Sequence, residues 1–554
     1  MPESYGTFAL VLHSHLPYVL MHDRLEEEWL FEAVVESYLP LLQAFYRLVW
    51  QGVSPRVTVG VTPVLLEQIA DSRFAPRLLA YLEQKSHAAR EDQAFFRRNS
   101  EPAQERLARL WEEFYRRTSL FFREDLSSDI IGAFRRLQKQ GHLELIASAA
   151  THAYLPLLGF DASVQAQVAL GVRCYQRHFR ARPRGFWLPE CAYRPAAYWT
   201  PPMDGMAGLK PTARAGVDQI LASVGLRYFF VDARQLAGSS LGYPRHSPCR
   251  LYTLTHKEEE NSFPMAIFSR DFETTARVWQ HDSGYPGDPL YLEFHKKQGE
   301  GGLRYWRITD RRTTLAYKQP YMPELAFAQV NTNVTQFVQV LRERLLGHWR
   351  RTGERGIVVA AFDTELFGHW WFEGPQWVSE LLRQLATVPE VRVTTCSEYL
   401  DEHPPRQTIQ LQESSWGDGG DHRVWWQSST QRLWRNQYQA ECDMQDLNKR
   451  LKTARLDDRL VCLLRQCGRE LLLLQSSDWP FMIGTRSTPD HAQQRVALHY
   501  ENFQCCRRVI EQYVNNETIV EEDWRRFATM EQQDALFSDL DPHVFGEKSE
   551  APIV

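Results

Sequence analysis

The chain has no apolar run approaching the length of a membrane span. Its N-terminus shows no basic segment followed by an apolar stretch and a cleavage site. There is no internal repeat and no low-complexity tract. Cysteine is scarce, nine in 554 residues, and its spacing is uninformative: no CxxC occurs, and Cys462 and Cys467 have no His or Cys partners at zinc spacing. Positive charge is not in excess either. A formal net charge of −5 argues against nucleic acid or an anionic membrane as the main partner. These absences predict a soluble, cytoplasmic protein with reduced thiols. The length suffices for two or three domains and a sizeable core.

What the chain does have is aromatic side chains, 12% of the composition with 17 Trp, which raises the question of a ligand with flat faces. One stretch organises the rest, Gly356 to Gly374, reading GIVVAAFDTELFGHWWFEG. The run Ile357–Phe362 is apolar and rich in β-branched residues, as suits a strand buried on both faces. Asp363 and Glu365 follow at its C-terminal end, then His369 and the pair Trp370-Trp371. Acids and aromatics where a buried strand emerges are what an α/β-barrel site looks like in sequence.

Earlier strands repeat the pattern. Thr7–Leu12 runs into His13-Ser14-His15-Leu16-Pro17, Arg56–Val61 into Thr62-Pro63, and Leu143–Ser148 into Thr151-His152. A short strand from Pro183 ends at Glu190, Leu226–Val231 ends at Asp232, and Phe263–Ser269 ends at Arg270-Asp271. Short strands alternating with helical segments predict a parallel barrel. The Arg/Glu-rich amphipathic stretch 73–141 exceeds an ordinary crossover and is expected as a helical insertion. The barrel unit is expected over 1–405, a helical C-terminal domain completing the cleft over 406–535, and a loose tail over 536–554.

His13 and His15, two apart in extended chain, project to one side. A metal pair, a pair bonding sugar hydroxyls, and structural histidines remain open. For Trp29, close behind that loop, packing and a place in a cleft both stand. Tyr291, Phe294, Tyr305, Trp306, Tyr317 and Tyr321 are dense for a segment with loop chemistry. Two carboxylates on separate barrel strands, Glu190 and Asp363, flanked by Trp, His and Arg, suit glycoside chemistry, which needs a carboxylate pair. Glu365 is a rival acid that spacing does not exclude. A metal-dependent hydrolase is the competing class.

His13–Pro17, Gly185-Phe186-Trp187-Leu188-Pro189-Glu190 and Phe362–Trp371 resemble the ordered signature motifs of glycoside hydrolase family 57. Ser414-Ser415-Trp416-Gly417 and Ser476-Ser477-Asp478-Trp479-Pro480-Phe481 resemble the C-terminal part of that family's 1,4-α-glucan branching enzymes. The resemblance covers nearly the whole chain. It implies a distorted (β/α)7 barrel with a helical insertion and an all-helical C-terminal domain, and a retaining double displacement on an α-glucan with no metal or organic cofactor. By that matching Glu190 is the nucleophile and Asp363 the acid/base. His13, His15 and His152 line the donor sugar's subsite. Arg270, Gly287, Trp416 and Asp478 contact substrate, Trp29 and Trp279 are cleft tryptophans, and Tyr243 lies in a loop over the cleft. Burial and the Glu190 charge are then expected to raise Asp363 so that it keeps its proton. Two departures stand out. Asn333-Val334 precede Phe337 where family members often carry His-Ala, and the Tyr243 loop is short. Hydrolysis, linear transfer and a glucan-binding protein without turnover are the alternatives to branching.

Overall fold

The computed structural model describes residues 4–203, 205–206, 208–237, 247–254, 264–280, 283–452 and 456–546. Seven parallel strands close a barrel: Gly6–Ser14, Val57–Val61, Leu143–Ser148, Gly185–Trp187, Tyr228–Asp232, Ala266–Arg270 and Gly356–Asp363. The last strand pairs with the first from Gly6↔Gly356 to His13↔Asp363, and with the sixth at Val359↔Arg270, which completes the ring. The first strand is buried at every position and the seventh at all but Asp363, because helices cover the outside while side chains fill the inside.

The period of two along each strand sorts the residues. Phe8, Leu10, Leu12, Val358, Ala360 and Phe362 join the large core beneath the helices. Ala9, Val11, Ile357, Val359, Ala361, Tyr228, Phe230, Ala266 and Phe268 form a separate cluster inside the barrel. Continuing the inward series by one more step gives His13, Asp363, Asp232 and Arg270, all at the C-terminal ends of their strands. The apolar filling thus ends and the polar site begins on one layer.

The short strand Val391–Val393 occupies the edge of the first strand at Gly6–Phe8, below the second strand's pairing with Val11–Ser14. Between the first two strands a helix runs from Arg24 to Trp50, interrupted by a π turn at Val34–Tyr38. The insertion region holds Phe74–Arg98 and Pro102–Leu120, packed against each other, then Ile130–Lys139. Helices Gln431–Leu451, Asp458–Leu474, Asp478–Thr485, Pro489–Val514 and Glu521–Gln533 make up the C-terminal part.

These helices are fastened to the barrel's upper loops. The Tyr438 hydroxyl donates to the Leu157 carbonyl (2.9 Å), the Gly159 N–H to Glu441 (2.6 Å), and Arg495 to the Tyr18 carbonyl (2.6 Å). The stretch read as tail is packed as far as it is described: Phe537, Leu540 and Phe545 are buried. Residues 547–554 lie outside the described residues. The aromatic-rich segment also differs from its reading, since Tyr291, Tyr305 and Tyr321 are core residues and only Tyr317 of that group stands largely exposed. The nine cysteines are free thiols, and among the described residues no helix is long and apolar enough to cross a membrane.

Helix Asp161–Phe179 lies directly on the end of the third strand. A Cβ on Gly171 would sit 2.0 Å from the Ser148 carbonyl oxygen, a backbone atom that cannot yield. Gly171→Ala should therefore lower stability by about 1–3 kcal/mol, read as a fall in the thermal midpoint by calorimetry. An unchanged midpoint would show that this contact is not close.

Candidate active site

A cleft of about 530 Å³ opens at the C-terminal ends of the strands. Its walls include His13, His15, His152, Glu190, Asp363, Glu365, Arg270, Trp29, Trp279, Trp370, Trp416, Asp478 and Phe481. Of the residues that the resemblance assigns to catalysis or substrate contact, Gly287 and Tyr243 are missing. Gly287 lines a separate surface hollow, where its α-carbon faces the Arg311 guanidinium, so the structure does not bring it into the cleft. Tyr243 lies outside the described residues.

Glu190 is not in a strand. The fourth strand stops at Trp187, and Pro189–Cys191 form a tight turn in which Glu190 has φ 61° and Cys191 φ 47°. Left-handed backbone at two successive non-glycine residues is costly and needs outside support. That support comes from beyond residue 413. The Trp416 N–H donates to the Glu190 carbonyl (3.0 Å), and Tyr193 and Ser414 exchange backbone hydrogen bonds (2.8 and 3.0 Å). The Trp416 indole N–H donates to Glu190 Oε2 at 2.7 Å, and the Ser477 hydroxyl reaches Oε1 at 3.4 Å. Arg270, fixed by Asp232 (Nε to Oδ2, 2.9 Å), lies over the Trp416 ring at 5.1 Å.

The histidines form a stack. Trp187, His13 and His152 lie ring on ring with centroids 4.7 and 5.0 Å apart, and His15 is 3.9 Å from His152. His13 Nε2 meets His152 Nε2 at 3.0 Å, so one ring must donate and the other accept. His152 Nδ1 bonds Ser477 (2.8 Å), and His15 is held between Thr62 (3.0 Å) and Asp478 (2.9 Å). Burial keeps both His13 and His152 well below the usual imidazole range, hence neutral. The ring nitrogens that a metal would use are thus largely engaged with each other and with side chains. Only His13 Nδ1 is buried without a partner.

Asp363 and Glu365, which spacing left as rivals, have different surroundings. Glu365 Oε1 accepts the Tyr38 hydroxyl and the His15 backbone N–H (3.1 Å). Tyr38 belongs to the π turn, whose extra residue also sets Ser37 to accept the His369 N–H (3.0 Å) and Glu36 to bond His369 Nδ1 (2.8 Å). Gly368 makes this approach possible: with φ 121°, a Cβ there would lie 1.8 Å from the Glu36 carbonyl oxygen. Sequence reasoning missed Tyr38, Ser37, Glu36 and Ser477. A π turn leaves no mark in helical periodicity, whereas Ser477 adjoins the Asp478 already picked out.

Asn333 is buried on helix Pro323–Thr352, donating to the Tyr291 hydroxyl (2.7 Å), and Tyr291 packs on Trp371. This departure from the family pattern therefore falls in a supporting layer and not in the cleft wall.

Burial pushes Glu190 up to about 8, against donation from Trp416 and with help from the Asp363 charge. Burial takes Asp363 only to about 6, because Arg270 and His15 hold it down. Both carboxyls are thus held above the ordinary carboxylate range, as expected for Asp363, and Glu190 is raised further. Asp478 is also buried, but its partner His15 draws it down to about 2.

Residues 9–412 match the model of glycosyl hydrolase family 57, and residues 436–545 that of the 1,4-alpha-glucan branching enzyme C-terminal region. The chain belongs to glycoside hydrolase family 57. It is 38% identical over 539 residues to the 1,4-alpha-glucan branching enzyme TK1436 of Thermococcus kodakarensis, covering 96% of this chain and 77% of that protein. The crystal structure of a GH57-type branching enzyme from Pyrococcus horikoshii matches with a TM-score of 0.90 at 35% identity, covering 99% and 98% of the two chains. An alpha-amylase, AmyC of Thermotoga maritima, matches at 0.83 and 28% identity, covering 98% and 99%. Trp416 lies between the two matched regions.

A carboxyl held above its unfolded value of 4.5 favours the folded state while protonated. That contribution is complete below about 4.5 and is lost as pH rises through about 8. Glu190→Gln removes the dependence. The variant's stability relative to the natural protein should rise by about 2–4 kcal/mol between pH 5 and pH 9, measured by denaturant melts at both pH values. A constant difference would mean that Glu190 is not held protonated.

Proposed function

We propose that this protein is a 1,4-α-glucan branching enzyme acting by a retaining double displacement, with Glu190 as nucleophile and Asp363 as acid/base. The observation that carries the reading is the pairing of these two carboxyl groups in one aromatic cleft, with Glu190 gripped by donors from the C-terminal region. Glu190 attacks the anomeric carbon of an α-1,4-linked residue, and Asp363 gives its proton to the departing 4-oxygen. The glycosyl ester then forms on Glu190. A 6-hydroxyl of an acceptor glucan attacks the same carbon, its proton passes to Asp363, and Glu190 leaves as carboxylate. The acceptor oxygen replaces the ester oxygen, so the α configuration is restored.

Trp416 and Ser477 direct their N–H and O–H onto Glu190, which favours its ionised form as charge develops at the anomeric carbon. The neutral rings of His13 and His152, together with His15 and Asp478, offer donors and acceptors for the hydroxyls of the donor sugar. The similarity to 1,4-alpha-glucan branching enzymes supports branching of a 1,4-α-glucan, and we place the reaction in cytoplasmic synthesis of a glycogen-like polysaccharide.

With amylose as substrate, reducing ends should appear only after treatment with a debranching enzyme, and Glu190→Gln should lower the rate by about 10³-fold or more. Ends released at once by the natural protein would make it a hydrolase, as AmyC is named. Unchanged turnover in Glu190→Gln would remove that residue from the mechanism.

A further inference from the structure

The tryptophan pair after the seventh strand is split. Trp371 is buried, 1% exposed, against Tyr291 and Trp377, whereas Trp370 lines the cleft and is 43% exposed. Trp279, on the helix after the sixth strand, is 46% exposed and meets Trp370 edge to face at 6.3 Å. Two large indoles left open to solvent at one mouth of a cleft are an expense in hydration that folding does not require.

The backbone beneath Trp370 is fixed at every available point. The His369 N–H donates to Ser37 (3.0 Å), the His369 carbonyl accepts from Arg304 (3.0 Å), and the Trp370 N–H donates to the Glu365 carbonyl (3.2 Å). The His369 ring is tied to Glu36 at 2.8 Å, and Arg304 is paired with the same Glu36 at 2.7 Å. The indole ring, met by Trp279 and His369, keeps 43% of the residue exposed. A rigid stem bearing an exposed aromatic face is preorganised for a flat apolar partner, such as the face of a sugar ring.

The pair is tied to a different set of residues from the histidine stack, and the two sets meet where the His15 backbone N–H donates to Glu365 (3.1 Å). Trp187, His13, His152, His15 and Asp478 are linked to one another and to Glu190 through Ser477, forming one wall. Trp370 is instead joined through Glu365 and the π turn to the end of the strand that carries Asp363. The group that protonates the leaving oxygen and deprotonates the incoming hydroxyl therefore lies on the Trp370 side.

Resting on the branching reading, we propose that Trp370, with Trp279 against its edge, is a positioning residue for the acceptor glucan, and that it governs whether the glycosyl ester on Glu190 passes to a sugar 6-hydroxyl or to water. Stacking holds the acceptor chain so that its hydroxyl outcompetes solvent through effective concentration. In either outcome the entering oxygen bonds the anomeric carbon, its proton goes to Asp363, and Glu190 departs as carboxylate.

The test is the partition ratio on amylose: new branch points counted after debranching, divided by reducing ends released before it. The natural protein is measured first. If it forms no branches, the branching reading and this proposal fall together. If it branches, Trp370→Ala should shift the ratio tenfold or more toward hydrolysis and raise KM for added acceptor glucan more than it changes kcat. Trp370→Phe, which keeps a smaller face, should restore most of the ratio. A ratio within twofold of the natural protein in Trp370→Ala would overturn the proposal even if total turnover fell, because a merely structural loss lowers transfer and hydrolysis alike. Circular dichroism of both variants shows whether the fold is kept. Should Trp370→Ala not fold, Trp370→Leu, which preserves bulk without an aromatic face, carries the same expectation and the same overturning result.

Discussion

The site depends first on how Glu190 is held. Its backbone is left-handed, as is that of Cys191, and non-glycine residues adopt this only when surroundings repay about 1–2 kcal/mol each. The barrel strands do not supply that support. It comes from Ser414 and Trp416, which bond the turn's backbone, and from the Trp416 indole and Ser477, which bond the carboxylate itself. Chain more than two hundred residues downstream thus fixes both where Glu190 points and how its charge is met. The chain beyond the barrel is not an appendage to a finished site: the loop at Ser414–Trp416 and Ser477 supply the donors to the carboxylate, while Gln235 after the fifth strand adds a bond to the Cys191 carbonyl (3.0 Å).

The opposite wall is built on a different principle. There a backbone irregularity in a helix, the π turn at Val34–Tyr38, turns three successive side chains toward the loop after the seventh strand. Glu36, Ser37 and Tyr38 each meet that loop, at His369, at the His369 N–H and at Glu365. Gly368 lets the two backbones approach, and no other residue fits there. A helix without the extra residue would present these side chains about a third of a turn apart from where they are needed.

Much of this was legible in the sequence because a parallel barrel writes its own code. Buried strands are continuous apolar runs, and the first polar residue after each run stands at the site. His13, Asp232, Arg270 and Asp363 were found this way, and the period of two explains why they share a layer. Glu190 and His152 sit in turns after their strands and were placed by strand ends together with resemblance. What was not legible depends on contacts between distant segments. The π turn, the partition of Trp370 from Trp371, and the burial of Tyr291 and Tyr305 are set by packing that no local pattern records. The packing of Phe537, Leu540 and Phe545 was missed for the same reason, since short apolar residues in a polar terminus carry no period. Gly287 matched a family position by sequence yet lies in a different hollow, which shows that a motif match fixes identity more reliably than location.

The electrostatics of the empty cleft complete the argument. Two buried carboxyls near one another cannot both ionise freely, so the pair retains a proton to higher pH than either would alone. In the empty cleft the proton favours Glu190, because burial and the charges of Asp363 and Asp478 act on it while Arg270 and His15 stabilise the charge on Asp363. A retaining mechanism needs the opposite distribution at the moment of attack. In the proposed mechanism, positive charge growing at the anomeric carbon beside Glu190 favours the carboxylate there, and negative charge growing on the leaving oxygen draws the proton toward that oxygen from Asp363. The donors from Trp416 and Ser477 already favour the charged form of Glu190 and need no rearrangement to do so.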